Sequence, residues 1–289
     1  MTEIGGVLTA MATPFDPDGG VDHRAAAELA IHLLSHGSDG LVVAGTTGEG
    51  ATLDDEERIA LLRTVRAAIG ADAPLICNTG SNDTRHSVAL TRAADAAGAD
   101  AALVVAPYYV KPSPAGVRAH VEAVAAATEK PIVLYNIPSR VVINISPPEL
   151  AALAEIDNVL AVKQANSGEL GPVQGLRVLA GNDDAYLRAL ELGLAGGILV
   201  ASHIAGPQMA EMRDLAAAGA LEEAREIDAR LRDLYAALAV TTNPMPLKAA
   251  LEMLGLCSAR MRLPMVPCDD RERAVVRAAL EALDLRLVA

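Results

Sequence analysis

The sequence predicts an α/β fold, a (β/α)8 TIM barrel with a helical C-terminal extension. The first observation behind this prediction is length, because 289 residues suit a single barrel of this type. The second is pattern, because short apolar segments without polar alternation are separated by longer alanine-rich segments of helical periodicity. Parallel strands that are buried on both faces and connected by helices produce that pattern.

The predicted strands share a run of four to six mostly apolar residues. They are Val7–Ala12, Gly40–Ala44, Leu75–Asn78, Ala102–Ala106, Ile132–Tyr135, Val159–Val162, Arg177–Ala180 and Gly197–Val200. A doubly wound open sheet is the alternative architecture, but no G-x-G-x-x-G motif follows the first strand.

Helical patterns fill the intervals between these strands. Asp54–Ile69 opens with four acidic residues, which stabilise a helix N-terminus. The predicted helices are Asp22–Leu34, Asp54–Ile69, Thr84–Ala97, Pro114–Thr128, Pro148–Glu155 and Ala185–Leu192.

Roughly 90 residues follow the last predicted strand, and they have helical patterns throughout. One closing helix needs far fewer residues, so we divide the chain into a catalytic barrel, residues 1–206, and a closing helix with a helical extension, residues 207–289. The helices predicted in this second part are Gln208–Ala218, Leu221–Leu238, Leu247–Leu254 and Arg271–Leu283.

Composition excludes several classes of partner. The formal net charge of −13 argues against nucleic acid and anionic membrane surfaces. No segment reaches the roughly 20 apolar residues of a membrane span. The three cysteines, Cys77, Cys257 and Cys268, lack metal-ligand spacing. Because their number is odd and no targeting segment is visible, we expect a cytoplasmic protein without structural disulfides.

Lysine usage singles out one candidate nucleophile. The chain has 24 lysines and arginines but only four lysines, and Lys163 lies at the end of the sixth predicted strand. A lysine enclosed by the barrel wall is shielded from water, which favours the neutral, nucleophilic amine. Arginine cannot supply that form. The alternative is a lysine that extends its charged end to the rim.

Two more polar groups are expected at the same face, where barrel enzymes place their chemistry. Thr46 and Thr47 lie between glycines after the second strand, and such a turn can offer backbone N–H groups to a carboxylate. A plain tight turn is the alternative. Arg140 follows the fifth strand and suits a substrate that carries a carboxylate.

Tyrosines are also concentrated at this face. Of five tyrosines, three fall at strand ends: Tyr108, Tyr109 and Tyr135. The other two, Tyr186 and Tyr235, lie in predicted helices and are expected to pack in the core.

Five segments carry a resemblance to a known family: Gly45–Glu49, Pro107–Tyr109, Tyr135–Arg140, Val162–Lys163 and Asn243–Pro244. On these segments the chain resembles the dihydrodipicolinate synthases, within the pyruvate-dependent class I aldolases that include N-acetylneuraminate lyase. The resemblance runs nearly end to end. It implies a TIM barrel that condenses pyruvate with L-aspartate 4-semialdehyde to 4-hydroxy-tetrahydrodipicolinate, in lysine and diaminopimelate biosynthesis.

The resemblance also implies roles for individual residues. Lys163 matches the lysine that forms a Schiff base with pyruvate, and Tyr135 matches the proton-transferring tyrosine beside it. Thr46 matches a relay hydroxyl. Tyr109 matches a tyrosine that one subunit lends to its neighbour's site. The family is commonly a homotetramer, a dimer of dimers, and needs neither a metal nor an organic cofactor.

Substrate-binding roles follow in the same way. Thr47 matches the residue whose backbone holds the pyruvate carboxylate, and Arg140 matches the arginine that receives the carboxylate of the aldehyde. Gly181 and Ile198 match positions whose backbone lines the pocket.

Departures from the family pattern leave alternatives open. Gln164 and Asn182 stand where acidic residues are common, and Val110 stands where asparagine is common. A second hypothesis is therefore another pyruvate aldolase or lyase that acts on a sugar-acid or hydroxy-keto-acid, although Arg140 favours a small aldehyde with a carboxylate. A third is a non-catalytic protein that binds a small carboxylate.

We expect L-lysine to inhibit weakly or not at all. Feedback-sensitive members of the family meet the lysine ammonium with a glutamate, and His86 occupies the matching position here, with Arg58 nearby. These side chains offer no negative charge to an ammonium group. Initial rates measured at increasing lysine concentration check this, and half-maximal inhibition by sub-millimolar lysine would contradict it.

Overall fold

The structure, a computed structural model, describes residues 4–288. Eight parallel strands close into a barrel in which each strand pairs with the next along the chain and β8 pairs with β1. The predicted (β/α)8 barrel is therefore confirmed. The strands are β1 (Gly6–Ala10), β2 (Gly40–Val43), β3 (Leu75–Asn78), β4 (Ala101–Val105), β5 (Ile132–Asn136), β6 (Val159–Gln164), β7 (Arg177–Ala180) and β8 (Gly196–Leu199).

Helices cover the outside of the barrel between the strands. Several begin at side-chain caps, as at Asp54, whose carboxylate accepts the N–H of Glu57 in a capping box. One short helix, Pro138–Val141, was not predicted, because four residues give no periodic pattern. The helices that precede β8 are α1 (His23–Ser35), α2 (Asp55–Ile69), α3 (Thr84–Ala96), α4 (Pro114–Ala125), α5 (Pro138–Val141), α6 (Pro147–Leu153) and α7 (Tyr186–Glu191).

Four helices follow β8: α8 (Ser202–Ala217), α9 (Leu221–Leu238), α10 (Met245–Met253) and α11 (Asp270–Glu281). Helix α8 begins earlier than predicted and has non-helical backbone at Ala205, two residues before Pro207. Pro207 cannot donate a hydrogen bond to the carbonyl four residues earlier, and its ring crowds the preceding turn of the helix, which contains Ala205. The helix was predicted to begin at Gln208, just after this kink. The predicted boundary between the catalytic barrel and the C-terminal part, which lies between residues 206 and 207, falls inside α8.

The core is almost entirely aliphatic. One cluster fills the barrel and the layer next to β4–β7, and its members include Leu8, Ile76 and Leu134. A second cluster joins the other side of the barrel to α1, α2 and the C-terminal helices, around Phe15, Leu62 and Leu247. The C-terminal helices therefore share a core with the barrel.

Within residues 4–288 no helix combines the length and apolar character that a membrane crossing requires. Cys77, Cys257 and Cys268 are free thiols.

His203 ties the end of β1 to the segment after β8. Its Nε2 accepts the N–H of Ala12 at 3.1 Å, and its Nδ1 lies 2.8 Å from the carbonyl oxygen of Val200, to which it donates in the matching tautomer. Burial lowers the pKa of His203 from 6.5 to about 4, and the hydrogen bond to Val200 opposes this shift. The folded protein therefore holds a neutral imidazole that the unfolded chain would protonate near pH 6.5.

We expect acid to destabilise the fold through His203. Stability from the neutral ring is complete above pH 6.5 and is lost as the pH falls toward about 4. This loss amounts to about 3 kcal/mol. His203→Gln should flatten the dependence of the unfolding free energy on pH in this window, as measured by denaturant titration. The exposed His23→Gln is the control, and equal slopes in wild type and His203→Gln would contradict the assignment.

Candidate active site

A cavity of about 800 Å³ lies at the carboxyl ends of the strands. The turn after β2, the ends of β5, β6 and β7, and the segment from α9 to α10 all contribute to its wall. Six of the eight predicted site residues line it together: Thr46, Thr47, Tyr135, Arg140, Lys163 and Gly181.

Lys163 and Tyr135 are neighbours on adjacent strands of the barrel. They are register partners on β6 and β5, and the Lys163 Nζ lies 4.5 Å from the centroid of the Tyr135 ring. The lysine side chain is almost enclosed, with 5% of the residue exposed. Within residues 4–288 no carboxylate forms an ion pair with it. The amine therefore faces the cavity against an aromatic ring, and the Asp183 carboxylate interacts with its charge without forming an ion pair.

The Thr46–Thr47 turn is tightly constrained. The N–H of Glu49 donates to the Thr46 carbonyl at 3.1 Å, and the N–H of Gly50 donates to the Gly45 carbonyl at 3.0 Å. A Cβ at Gly50 would lie 1.9 Å from the Ala44 carbonyl oxygen, so only glycine fits there. The glycines in this motif thus allow a compact turn that presents both threonines to the cavity.

Arg140 lies in α5, directly after β5, and is exposed. Its Nη2 donates to the backbone carbonyl of Asn243 at 3.3 Å. The side-chain Nδ2 of the same asparagine donates to Thr47 Oγ1 at 3.0 Å. Asn243 therefore joins Arg140 to the Thr46–Thr47 turn, the two groups that were predicted to bind carboxylates.

Two of the predicted site residues do not line this cavity. Tyr109 is 85% exposed in the loop after β4 and has a positive φ of 71°. Its side chain is not in the cavity wall of its own chain. Ile198 is fully buried in β8 and is likewise absent from the wall.

Sequence reasoning missed Asp183, which lines the cavity near Lys163. Its Oδ1 accepts the N–H groups of Val200 at 2.8 Å and Ala201 at 3.0 Å, which fixes it against the end of β8. Burial raises the pKa of this carboxyl, while the two hydrogen bonds and the charge of Lys163 act in the opposite direction. The signal that could have found it is its position in the Gly-Asn-Asp-Asp run after β7.

The C-terminal part of the chain also contributes to the wall. Tyr235, which was expected only to pack in the core, is mostly buried but lines the cavity together with Arg232 and Asn243. Burial raises the pKa of the Tyr235 hydroxyl, and the nearby Asp228 adds to the shift. The sequence motif Asn243–Pro244 carried no predicted role, and the structure places its asparagine in the cavity wall. The helical extension is thus a part of the site.

Of two positions that depart from the family pattern, Gln164 lies in a network of amides beside the site and Asn182 lines the cavity. Gln164 Oε1 accepts from Asn136 Nδ2 at 3.0 Å, and Gln164 is almost completely buried. Asn182 Nδ2 donates to the Ala165 carbonyl at 3.1 Å. Gln164 follows Lys163 on β6, so its side chain points to the opposite face of the strand. The missing acidic group at Gln164 therefore lies outside the cavity, whereas Asn182 places an uncharged amide in the cavity wall.

A second cavity of about 450 Å³ adjoins the first and shares Thr46, Tyr135 and Arg140 with it. His86 lines it and lies 2.9 Å from the Asp55 carboxylate through Nε2. Glu49 is the one acidic residue among the described lining residues, and it is ion-paired with Lys248. This cavity therefore offers no uncommitted carboxylate to a cation.

Comparison with known proteins adds an independent finding. The model of the dihydrodipicolinate synthetase family matches residues 3–283. The chain belongs to the dihydrodipicolinate synthetase family. The resemblance seen in the sequence motifs is therefore confirmed, and it extends over nearly the whole chain.

Individual members of the family are similar along their full length. A relative from Moorella thermoacetica, named 4-hydroxy-tetrahydrodipicolinate synthase, is 44% identical over 97% of this chain and 99% of its own. One of the same name from Cyanothece sp. is 42% identical over 99% and 100%. The structure of the synthase from Cyanidioschyzon merolae with lysine bound superposes with a TM-score of 0.95, at 38% identity, over 99% of this chain and all of that chain.

Proposed function

We propose that this protein is an enzyme that condenses pyruvate with L-aspartate 4-semialdehyde to give 4-hydroxy-tetrahydrodipicolinate. The observation that carries the proposal is Lys163, an almost enclosed amine that faces the cavity without a carboxylate partner, beside Tyr135. This arrangement suits a nucleophilic lysine, because a carboxylate in an ion pair with it would favour the charged, unreactive ammonium. Membership of the dihydrodipicolinate synthetase family supports the same reaction.

The first half of the reaction forms an electron sink. The neutral amine of Lys163 adds to the ketone carbon of pyruvate, and loss of water gives an iminium. The positive nitrogen then accepts the electron pair left when a methyl proton departs, which forms an enamine. No metal or organic cofactor takes part in this proposal, because the lysine adduct itself holds the electrons.

The second half uses that enamine as a carbon nucleophile. It adds to the aldehyde carbon of the second substrate, and the aldehyde oxygen takes up a proton. The amino group of that substrate can then attack the iminium carbon, which closes the ring and releases Lys163. One water leaves in total, so the atoms of the two substrates balance those of the product plus water.

Protons have to move at several of these steps, and Tyr135 is placed to move them. Its ring lies against the Lys163 amine, and Thr46 lines the same cavity wall. General acid–base catalysis of this kind contributes about 10²–10⁴-fold in rate. Tyr109 would complete the relay only if a partner subunit supplied it, because it is exposed and outside the cavity of its own chain.

Two carboxylates have to be bound as well. We assign the pyruvate carboxylate to the backbone N–H groups of the Thr46–Thr47 turn and the aldehyde carboxylate to Arg140, with the backbone of Gly181 and Ile198 near the pocket. Arg140 also disfavours the second candidate, a sugar-acid lyase, since a neutral sugar gives a guanidinium no anionic partner. We further propose a cytoplasmic homotetramer, a dimer of dimers, in which exposed Tyr109 lies at a subunit interface.

The test of this proposal is a rate assay with Arg140→Ala. We expect KM for aspartate semialdehyde to rise about 10–100-fold, since a charge-assisted contact of roughly 1.5–3 kcal/mol is lost. Borohydride trapping of the pyruvate adduct should proceed as in wild type, because Arg140 acts after the adduct forms. The exposed Arg24→Ala serves as the matched control.

Two outcomes would contradict the assignment. Wild-type protein that turns over no aspartate semialdehyde with pyruvate would reject the reaction. An Arg140→Ala variant with unchanged KM for the aldehyde would reject the role of the arginine and favour an aldehyde without a carboxylate.

A further inference from the structure

A buried ion pair lies directly behind the Thr46–Thr47 turn. The Glu49 Oε1 and the Lys248 Nζ are 2.5 Å apart, and Lys248 is completely buried. Lys248 is one of only four lysines in the chain, yet it lines neither cavity. Burial lowers the pKa of Lys248, and the charge of Glu49 opposes that shift. Burying two charged groups costs free energy, because both lose their hydration. A buried pair does not help solubility either, which indicates a structural role.

The pair belongs to a larger junction between the barrel and the C-terminal segment, which here means α10 and the residues after it as far as Arg262. Lys248 Nζ donates to the Arg260 carbonyl at 2.7 Å and lies 4.2 Å from the centroid of the Phe15 ring. The Arg262 guanidinium lies 4.6 Å from the same ring. The second oxygen of Glu49, Oε2, accepts the backbone N–H of Arg262 at 3.1 Å. Both carboxylate oxygens of Glu49 are therefore engaged by the C-terminal segment.

The backbone of the turn needs such an anchor. Glu49 has a φ of 51°, a left-handed conformation that is uncommon for a residue with a side chain and costs about 1–3 kcal/mol. The Gly48 carbonyl accepts from Thr13 Oγ1 at 2.6 Å on the other side of the turn. The turn is thus fixed by the segment after β1 on one side and by the C-terminal segment on the other.

One turn of α10 connects this anchor to the cavity. The N–H of Lys248 donates to the Pro244 carbonyl at 2.9 Å, in the first turn of the helix. Asn243, the residue before that proline, donates to Thr47 Oγ1 at 3.0 Å. The turn is therefore joined at two points to α10 and the residues just before it, in the cavity wall through Asn243 and behind the wall through Lys248.

We propose that the Glu49–Lys248 pair positions the Thr46–Thr47 turn against α10, so that the backbone N–H groups of the turn are aligned for the carboxylate of pyruvate. This inference rests on the proposed function. Glu49 and Lys248 are positioning residues, since they act through the turn and do not reach the reacting atoms. A charged pair suits this role, because separating the two side chains would leave each charge buried and unpaired. Alternative orientations of the turn are thereby excluded.

The experiment compares Glu49→Gln, Lys248→Met and the double variant with wild type and with the exposed Lys130→Met. Each protein is assayed for thermal unfolding, for KM of pyruvate and of the aldehyde, and for the rate of borohydride trapping at low pyruvate. Both single variants should unfold at lower temperature, because each leaves one buried charge without a partner. We expect their KM for pyruvate to rise about tenfold or more, with slower trapping and little change in KM for the aldehyde.

The double variant separates positioning from stability. It carries neither buried charge, so its unfolding temperature should return most of the way to the wild-type value, while KM for pyruvate should stay raised. Recovery of KM together with stability would overturn the proposal, as would KM within about twofold of Lys130→Met in folded single variants. Should the double variant fail to fold, Glu49→Asp replaces it. That substitution keeps the charge but shortens the side chain, and an unchanged KM for pyruvate would overturn the proposal.

This inference and the proposed function fail in different ways. If wild-type protein forms no adduct with pyruvate, the proposed function is wrong. If wild type forms the adduct and the variants bind pyruvate normally, only the positioning role is wrong.

Discussion

The arrangement of this site depends on one constraint, which is that an amine must be enclosed by the barrel and yet form no ion pair. The pairing of β5 with β6 meets it by placing Lys163 beside Tyr135 in register. An aromatic face attracts a cation more weakly than a carboxylate does, so it stabilises the unreactive ammonium less. The other elements of the site, the threonine turn and Arg140, are arranged around that amine.

The two buried lysines show how surroundings decide the role of the same side chain. Lys248 is more deeply buried than Lys163, but it is held by Glu49, by the Arg260 carbonyl and by Phe15. Losing one member of such a buried pair costs about 3–5 kcal/mol, so the Lys248 Nζ is committed to Glu49. Lys163 has Asp183 near it but not paired with it, and Asp183 is held by two backbone N–H groups. Burial alone therefore does not identify the nucleophile, whereas burial without a partner does.

Sequence reasoning reached the barrel and most of the cavity for a simple physical reason. Buried parallel strands give short apolar runs, and residues at their carboxyl ends meet at one face, so Thr46, Tyr135, Arg140 and Lys163 could be placed together from the strand pattern alone. Contributions from outside the strands could not be found in this way. Asn243 and Tyr235 reach the cavity, and Lys248 reaches the back of the threonine turn, through the packing of the C-terminal helices, which no local pattern encodes. The kink at Ala205 likewise had no local signal, so the predicted domain boundary fell inside α8.

The most direct test of this account is to reduce the protein with borohydride in the presence of pyruvate and to locate the adduct by peptide mass spectrometry. We expect reduced pyruvate on Lys163 alone, with Lys248 unmodified despite its deeper burial. An adduct on Lys248, Lys111 or Lys130 in place of Lys163 would contradict it. So would the absence of any adduct from folded protein at neutral pH, which would favour a protein that binds a small carboxylate without chemistry.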